Sequence, residues 1–372
     1  MKFYRPTFAE IDLSAIRYNL RKIKKIVGKE VLILGVVKAN AYGHGMKEVS
    51  KELVKDGIGY LGVASLDEAR ALRSVGIKKN IIVLGTILPK EVEGVLKFNV
   101  IQTISDIAIA RSLSRIAQRR KKAIKIHIKI DTGMGRLGIW HLEAVKFIQS
   151  IFSLKNILVE GIFTHFPSAE DDKVFTNKQI RDFNSLIKEL GWLNIDIPIK
   201  HTSNSMALLN FKDSHMNLVR PGLIMYGLYP KKGLKKTLKL RQALTLKTRI
   251  VYLKDVSKGR SISYGRSHVT KKRTKIATIP IGYGDGYSRH LSNKAEVLIK
   301  GTRCPVVGRV CMDMTMCEVG HIKDVKIGDE VILIGRQGHE EISVEEIASL
   351  SNTIPYEVVC NIGRRVPRIY KK

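Results

Sequence analysis

Short apolar runs alternate with longer segments of helical period between about residues 30 and 230. This alternation indicates repeated strand–helix units, in which parallel strands are covered by helices. Eight such units predict an α/β fold with a (β/α)8 TIM-type barrel, whose functional residues lie at the carboxyl ends of the strands. The predicted strands are residues 31–37, 60–64, 81–84, 100–103, 124–130, 158–164, 199–202 and 218–226, with helices between them, for example over 67–75 and 177–190.

After about Leu240 the pattern changes to short β-like segments separated by glycine-containing turns. These segments, at 246–253, 275–281, 295–299, 304–316 and 330–335, predict a C-terminal all-β domain. We expect residues 1–240, including the N-terminal segment, to form the barrel and residues 241–372 to form the β-rich domain. The lysine-rich segment 231–239 is the expected linker, and residues 370–372 are expected to fray.

The chain of 372 residues has 65 Lys and Arg against 34 Asp and Glu, a formal net charge of +31. Clustered cations would favour nucleic acid, because they neutralise phosphates and release counterions. Here the cations are dispersed in short runs, at 119–122, 231–232, 235–236, 271–273 and 371–372, without a known nucleic-acid-binding motif. The charge therefore predicts a solvated lysine-rich surface and no specific nucleic-acid partner.

No segment approaches the roughly 18 consecutive apolar residues of a membrane helix, and the first six residues lack the apolar core of a signal peptide. We therefore expect a cytoplasmic protein without a membrane partner. The four cysteines show no C-x-x-C pair, and the histidines are not paired at zinc spacing. Neither a metal site nor a disulfide framework is predicted.

Lys38 ends the first predicted strand, directly after a charge-free run over 31–37. Such a run is typical of a strand buried on both faces of a parallel sheet. Partial burial disfavours the ammonium and lowers the lysine pKa from about 10.4, which makes the amine available as a nucleophile or base. This favours Schiff-base chemistry. The alternative is a lysine that only extends its charged end from the strand into water.

The fifth predicted strand alternates isoleucines with the polar residues Lys125, His127, Lys129 and Asp131. Because successive side chains of a strand point to opposite faces, isoleucines that pack against helices leave the polar residues facing the barrel interior. A charged interior predicts bound anions or paired groups. The alternative is an edge strand whose polar face is wet.

The segment Val36-Val-Lys38-Ala-Asn-Ala-Tyr42-Gly-His-Gly45 resembles the cofactor-lysine motif of the alanine racemases, fold-type III enzymes that use pyridoxal 5'-phosphate (PLP). Further segments resemble the same family in the same order and together cover nearly the whole chain. They are residues 9–13, 129–138, 164–166, 204–205, 220–223, 226–227, 263–265, 282–286, 308–313 and 355–357.

The resemblance implies interconversion of L- and D-alanine by two-base proton transfer, supplying D-alanine for peptidoglycan synthesis. Racemisation needs proton-transfer groups on both sides of the cofactor. The resemblance assigns these roles to Lys38, which also holds PLP, and to Tyr264. A free tyrosine is a poor base at neutral pH, so Tyr264 needs nearby positive charge or donated hydrogen bonds.

Other matched positions carry expected roles. The resemblance places His165 beside this tyrosine and Arg220 opposite the pyridine nitrogen, where an arginine keeps its own proton and limits side reactions. The expected phosphate-side residues are Tyr42, Ser205, Gly222, Leu223 and Tyr356. Arg136 and the backbone of Met312 are expected to bind the substrate carboxylate, with Lys129 carbamylated and Tyr283 and Asp313 in supporting roles.

Each matched residue also has an ordinary structural interpretation when it is taken singly. His165 could be a core histidine, Arg220 a salt-bridge residue, Ser205 a helix N-cap and Gly222 a turn residue. Their ordered placement at several strand ends favours the functional interpretation.

The family architecture implies a homodimer with shared sites, whereas folding back within one chain is the alternative. A broader amino-acid racemase, a noncatalytic PLP-binding protein and a fold-type III decarboxylase are the competing classes. Thr202-Ser203 before Asn204 and Ile354-Pro355 before Tyr356 depart from the common family pattern and leave substrate breadth open.

Overall fold

The structure is a computed structural model that describes residues 4–229 and 238–372. It begins with strand β1 (Phe8–Asp12) and helix α1 (Leu13–Val27). The barrel strands follow as β2 (Leu32–Val36), β3 (Tyr60–Val63), β4 (Asn80–Val83), β5 (Ile101–Ile104), β6 (Ile124–Asp131), β8 (Ile157–Phe163), β9 (Ile199–His201) and β10 (Leu218–Val219), while the short β7 (Ile139–Trp140) pairs with the end of β6.

Helical segments connect these strands. They are α2 (Lys38–Tyr42), α3 (Met46–Lys55), α4 (Leu66–Arg73), α5 (Val92–Lys97), α6 (Ile107–Arg119), α7 (Ala144–Phe152), α8 (Lys173–Trp192) and α9 (Ser205–Asn210). The side chains of Asp12, Ser65, Asp106 and Asp172 each accept a hydrogen bond from the backbone N–H three residues further on. These N-caps satisfy donors that the first helical turn leaves unpaired, and so fix where each helix begins.

The eight barrel strands are parallel and pair in chain order from β2 to β9, and β10 returns to pair with β2. The predicted (β/α)8 barrel is therefore confirmed as a nearly closed barrel. The eighth strand is shorter than the predicted 218–226, because Pro221 has no N–H to donate and the chain turns into a 3-10 segment at Leu223–Tyr226.

The C-terminal unit is rich in β-structure, as predicted. Its strands are β11 (Leu244–Arg249), β12 (Tyr252–Val256), β13 (Ser261–Ile262), β14 (His268–Val269), β15 (Thr274–Ile279), β16 (Glu296–Ile299), β17 (Thr302–Pro305), β18 (Thr315–Glu318), β19 (Glu330–Gln337), β20 (Glu340–Ile342) and β21 (Arg368–Lys371). Two unpredicted helices, α10 (Val344–Leu350) and α11 (Pro355–Cys360), lie between β20 and β21. Helix α11 carries Tyr356 to the mouth of the barrel.

Both ends of the described chain join the sheet of the C-terminal unit. Strand β1 pairs antiparallel with β11 and parallel with β21, in the order β17-β16-β19-β11-β1-β21. The expectation that residues 370–372 fray is wrong, because Tyr370 pairs with Ile11 and the Lys371 ammonium contacts Glu10 at 2.9 Å.

Part of the predicted linker, residues 231–237, lies outside the described residues. Within residues 4–229 and 238–372, the helices are all too short or too polar to cross a membrane. The four cysteines are free thiols, and Cys304 and Cys317 are buried.

Candidate active site at the mouth of the barrel

Lys38 is followed by an unusual backbone turn. Ala39, Asn40, Ala41 and Tyr42 all have positive φ, between 52° and 54°, so α2 is a left-handed turn. A left-handed residue other than glycine costs on the order of 1–2 kcal/mol, and such strain persists only where the surroundings impose it. The turn reverses the chain directly after β2 and keeps Lys38 at the strand end.

Specific hydrogen bonds hold this turn. The Glu68 carboxylate accepts hydrogen bonds of 2.7 Å from the backbone N–H groups of both Ala39 and Ala64. On the inner side, His44 Nδ1 lies 2.8 Å from Tyr42 O, which makes it the donor to that carbonyl. The strained segment is therefore fixed from two directions.

The carboxyl ends of the barrel strands enclose a cavity of about 570 Å³. Nine of the predicted site residues line it, contributed by α2, several strand ends and α11. They are Lys38, Tyr42, Lys129, Arg136, His165, Ser205, Arg220, Gly222 and Tyr356. The structure thus brings together residues far apart in sequence, where a TIM barrel places its chemistry.

The cavity is strongly cationic. Burial lowers the pKa of Lys38, and the positive charges of Arg136 and Arg220 lower it further, with Glu68 acting in the opposite direction. Only burial and through-space charges act on Lys38, which forms no hydrogen bond with another described residue, so its amine is available to a ligand. An anionic ligand would relieve the repulsion among these groups.

Lys129 is almost completely buried in the same cavity. Burial, followed by the charges of Arg220 and Arg136, lowers the pKa of Lys129 well below its usual value. Its ammonium lies 4.4 Å from the centre of the Phe163 ring. Together with buried His127, it confirms that the inner half of the fifth predicted strand faces the barrel interior, whereas Lys125 reaches solvent.

Arg220 is the most firmly held cation of the site. Its guanidinium donates to the backbone carbonyls of Thr164, His201 and Thr202 at 2.8 to 2.9 Å. It also donates to His201 Nδ1 at 2.9 Å and approaches His165 Nδ1 at 3.4 Å. Burial lowers the pKa of Arg220, but these acceptors stabilise the charged form, because a guanidinium can only donate.

Hydroxyl groups line the side of the cavity formed by α9, α11 and the segment after β10. Ser205 Oγ accepts a 3.0 Å hydrogen bond from Gly222 N–H. A Cβ on Gly222 would lie 2.5 Å from Tyr42 Oη, so only glycine admits the Tyr42 hydroxyl here. The Tyr42 and Tyr356 rings lie 5.9 Å apart. Leu223 is fully buried and does not line the cavity.

Arg136 lies on a loop shaped by Asp131. The Asp131 carboxylate accepts backbone hydrogen bonds of 2.8 Å from Gly133, Met134 and Gly135. This arrangement turns the chain at the end of β6 and presents Arg136 to the cavity.

Four predicted residues of the C-terminal unit, Tyr264, Tyr283, Met312 and Asp313, lie outside the cavity, whereas Tyr356 of the same unit lines it. Tyr264, Tyr283 and Met312 are 70%, 43% and 53% exposed. Tyr283 and Met312 belong to one surface, since Tyr283 N–H donates to Cys311 O and Gly284 N–H donates to Met312 O. Tyr264 adjoins it, because Ser263 Oγ, one residue before Tyr264, lies 3.4 Å from Cys311 Sγ. Asp313 pairs with Arg365 at 2.6 Å. The structure therefore assembles the barrel half of the predicted site and leaves this second group apart.

Sequence reasoning missed several cavity residues, among them Phe163, Glu170 and Cys360. Phe163 is the most informative, because its ring stacks on His201 with centroids 4.5 Å apart and lies 5.3 Å from the Arg220 guanidinium. Its position at the end of β8, next to Thr164 and His165, could have indicated that it lines the cavity.

The barrel mouth holds a lysine with a lowered pKa among cations and hydroxyl groups, and a β-rich domain follows the barrel. These features define a class of barrel enzymes in which a lysine amine reacts with an anionic ligand. The family descriptions "Alanine racemase, N-terminal domain" and "Alanine racemase, C-terminal domain" match residues 11–230 and 243–370. The chain belongs to the alanine racemase family, which confirms the resemblance seen in the sequence.

Individual relatives match over nearly their full length. The alanine racemase of Halothermothrix orenii is 49% identical, over 99% of this chain and 97% of its own. A solved alanine racemase of Clostridium difficile has 41% identity and a TM-score of 0.94, covering 100% of this chain and 97% of its own. The alanine racemase of Bacillus anthracis with bound L-Ala-P has 39% identity and the same TM-score, covering 100% and 96%.

Proposed function

We propose that this chain is a PLP-dependent alanine racemase that interconverts L-alanine and D-alanine and supplies D-alanine for peptidoglycan synthesis. The observation that carries the proposal is Lys38, whose unpaired amine lies in a cationic cavity at the barrel mouth. The relatives named above, one of them with bound L-Ala-P, support alanine as the substrate.

The residues of the cavity fit PLP. When bound, PLP supplies an aldehyde that reacts with amines and a ring that withdraws electrons. Lys38 would hold the aldehyde carbon and Arg220 would face the ring nitrogen. Tyr42, Ser205, Gly222 and Tyr356 would surround the phosphate, where hydroxyls and close backbone approach suit an anion. Leu223, which does not line the cavity, could contribute only from behind this layer. The space that Gly222 leaves beside the Tyr42 hydroxyl supports this assignment.

The substrate would be oriented by its carboxylate. Arg136, presented by the Asp131-bound loop, is proposed to bind that carboxylate together with the backbone of Met312. Lys38 Nζ would then move the α-proton on one face, and Tyr264 Oη on the other, with His165 beside the tyrosine. Two proton-transfer groups on opposite faces are what inversion at carbon requires.

We propose that the protein is a homodimer in which the partner's β-rich unit completes each site. Tyr264, Tyr283 and Met312 share an exposed surface of the C-terminal unit, outside the cavity that holds Lys38. A second copy of the chain could bring these residues to the barrel, because in a symmetric dimer each subunit can place its own surface against the partner's cavity. Asp313, paired with Arg365, would support Tyr283 and Met312.

Other expectations stay predictions from the sequence. They are the boundary between residues 240 and 241, the cytoplasmic location, and the absence of a specific nucleic-acid or membrane partner.

The test is to supply the purified protein with PLP, reduce it with borohydride and locate the cofactor by peptide mass spectrometry. We expect PLP at Lys38 and racemisation of L-alanine. Lys38→Arg should lose both, whereas Lys47→Arg, an exposed lysine on α3, should keep both. Folded protein that never retains PLP at position 38, or that leaves L-alanine unchanged, would contradict the proposal. Rates on serine, lysine and arginine decide between an alanine-specific and a broader racemase.

A further inference from the structure

A chain of buried polar groups runs through the barrel below the candidate site. Arg220 donates to His201 Nδ1 at 2.9 Å, His201 Nε2 lies 2.8 Å from His127 Nδ1, and His127 Nε2 lies 3.3 Å from the Glu160 carboxylate. Both imidazoles are fully buried. At the far end, Lys125 contacts Glu160 at 2.6 Å and reaches solvent.

The two ends of this chain fix every proton in it. A guanidinium can only donate, so His201 Nδ1 must accept and His201 Nε2 must carry the proton. That proton is donated to His127 Nδ1, which leaves the His127 proton on Nε2, facing Glu160. An ionised carboxylate can only accept, so the direction is consistent from Arg220 to Glu160.

The local fold is built to place Glu160 at this position. The pairing of β6 with β8 shifts register between Ile126 and His127: Ile126 faces Val159 and His127 faces Gly161. Glu160 is therefore the additional residue of a β-bulge, a feature that redirects a side chain. Gly161 provides the room, because a Cβ there would lie 2.5 Å from the His127 ring.

The charges agree with this arrangement. Burial lowers the pKa of His201 and of His127, so that both rings are neutral. Burial raises the pKa of Glu160, but the hydrogen bonds from His127 and Lys125 outweigh it and lower that pKa, so that the carboxylate is ionised. A proton added to His201 would place an N–H against the Arg220 guanidinium.

We propose that Glu160 is a positioning residue for the racemase reaction, which acts through His127 and His201 to hold the Arg220 guanidinium in one orientation. The Glu160 carboxylate thereby sets the tautomers of His127 and His201. Through them it sets the hydrogen bonding of Arg220, the cation proposed to face the PLP ring. At metal sites, partners that orient the ligating histidines in this way change affinity or activity by about 10- to 100-fold when they are removed, and we expect an effect at the lower end of that range here.

The inference rests on the proposed role of Arg220 toward PLP, so its test separates the two. Long-range ¹⁵N–¹H NMR of the histidine-labelled protein, with and without PLP, reports which ring nitrogen carries the proton. We compare the native protein with Glu160→Gln, whose amide can donate as well as accept, and with Glu160→Asp, which keeps the carboxylate. Lys125→Gln is the matched control, because it removes the exposed cation beside Glu160 while its amide can still donate to the carboxylate and His127 stays in place.

We expect the native protein to have both rings protonated at Nε2 only. Glu160→Gln should shift both ring signals and lower kcat for alanine by about tenfold, with the KM for alanine changed by less than about threefold. Glu160→Asp should recover part of the activity, and Lys125→Gln should resemble the native protein.

Three results would overturn the proposal. The first is a native protein in which either histidine ring is protonated at Nδ1, and the second is Glu160→Gln with native ring signals and native kcat. The third is a loss of kcat in Lys125→Gln as large as in Glu160→Gln, which would assign the effect to the Lys125–Glu160 ion pair. Thermal melting of each variant establishes that it is folded. If the native protein has the expected tautomers but does not racemise alanine, the proposed function is wrong. The hydrogen-bond network from Arg220 to Glu160 would still be confirmed.

Discussion

Glu68 Oε1 accepts a 2.7 Å hydrogen bond from the backbone N–H of Ala39, the residue that follows Lys38. Ala39 begins the left-handed turn that positions Lys38, the candidate nucleophile. The hydrogen bond to Glu68 therefore offsets part of the strain energy of that turn. A residue on α4 thus contributes to the position of Lys38 without lining the cavity.

The first prediction concerns this carboxylate. Glu68→Gln weakens one of the two charge-assisted hydrogen bonds from Ala39 and Ala64 and removes the other, because an amide nitrogen cannot accept. It should lower the free energy of unfolding by about 1–3 kcal/mol. Asp67→Asn, the exposed neighbour on the same helix, should change stability by less than about 0.5 kcal/mol. Urea unfolding measures both, and equal effects would show that Glu68 has no special role.

The second prediction concerns Arg136. Its positive charge helps to lower the pKa of Lys38, after burial itself. Arg136→Gln should therefore raise the Lys38 pKa, so that the free amine appears only at higher pH. The rate of PLP capture by the cofactor-free protein, measured against pH, should move its midpoint upward. Arg120→Gln, a distant exposed residue, should leave the midpoint unchanged; a midpoint that moves downward in Arg136→Gln contradicts the argument.

The third prediction is that Lys129 is carbamylated. Its lowered pKa favours the uncharged amine, the form that reacts with carbon dioxide, and the resulting anion would lie among Arg136, Arg220 and the ring of Phe163. Native mass spectrometry at neutral pH should find the mass of one added carbon dioxide, lost on acidification and missing in Lys129→Gln. An unmodified mass in the presence of bicarbonate would rule the modification out.

The fourth prediction uses His44, which is fully buried against Tyr226. Burial lowers the pKa of His44 from 6.5 to about 4. Because the unfolded chain binds this proton more readily, stability is full above pH 6.5 and falls as the pH drops toward 4, by about 1.4 kcal/mol per unit. His44→Asn should reduce the stability difference between pH 7.5 and pH 5, measured by urea unfolding. His339→Asn, an exposed histidine, should retain the full difference.

The sequence predicted the parts of the fold that depend on local pattern. Apolar runs with helical segments between them predicted all eight barrel strands, and Lys38 lies two residues after the last residue of the first of them. The polar alternation of the fifth strand predicted the buried positions of His127 and Lys129, because strand periodicity alone decides the face. The other cavity residues of the barrel were predicted from the resemblance to the alanine racemases.

The remaining features depend on long-range or unfavourable contacts. Residues 39–42 adopt a left-handed turn against their own preference, so their identities do not reveal it. Strand β1 pairs with β11, which lies more than two hundred residues further along the chain. The sequence of β1 alone does not indicate which strand it pairs with. The bulge that brings Glu160 to His127 arises from the register of two strands, which no single segment encodes.

The last prediction tests whether the sites are shared between subunits. A heterodimer of a Lys38→Ala chain and a Tyr264→Phe chain has one doubly altered site and one intact site if each barrel uses the partner's tyrosine. It should therefore show about half of the native activity per dimer. If each chain used its own tyrosine, both sites would be altered and activity would stay at the level of the single variants.

The control heterodimer combines a Lys38→Ala chain with a chain carrying both substitutions, and it should stay inactive under either arrangement. Differently tagged chains, purified through both tags, ensure that only heterodimers are assayed. Recovery in the first heterodimer alone would follow from the separation of exposed Tyr264 from the cavity that holds Lys38. No recovery in verified heterodimers would mean that Tyr264 reaches the cavity of its own chain, against the arrangement proposed above.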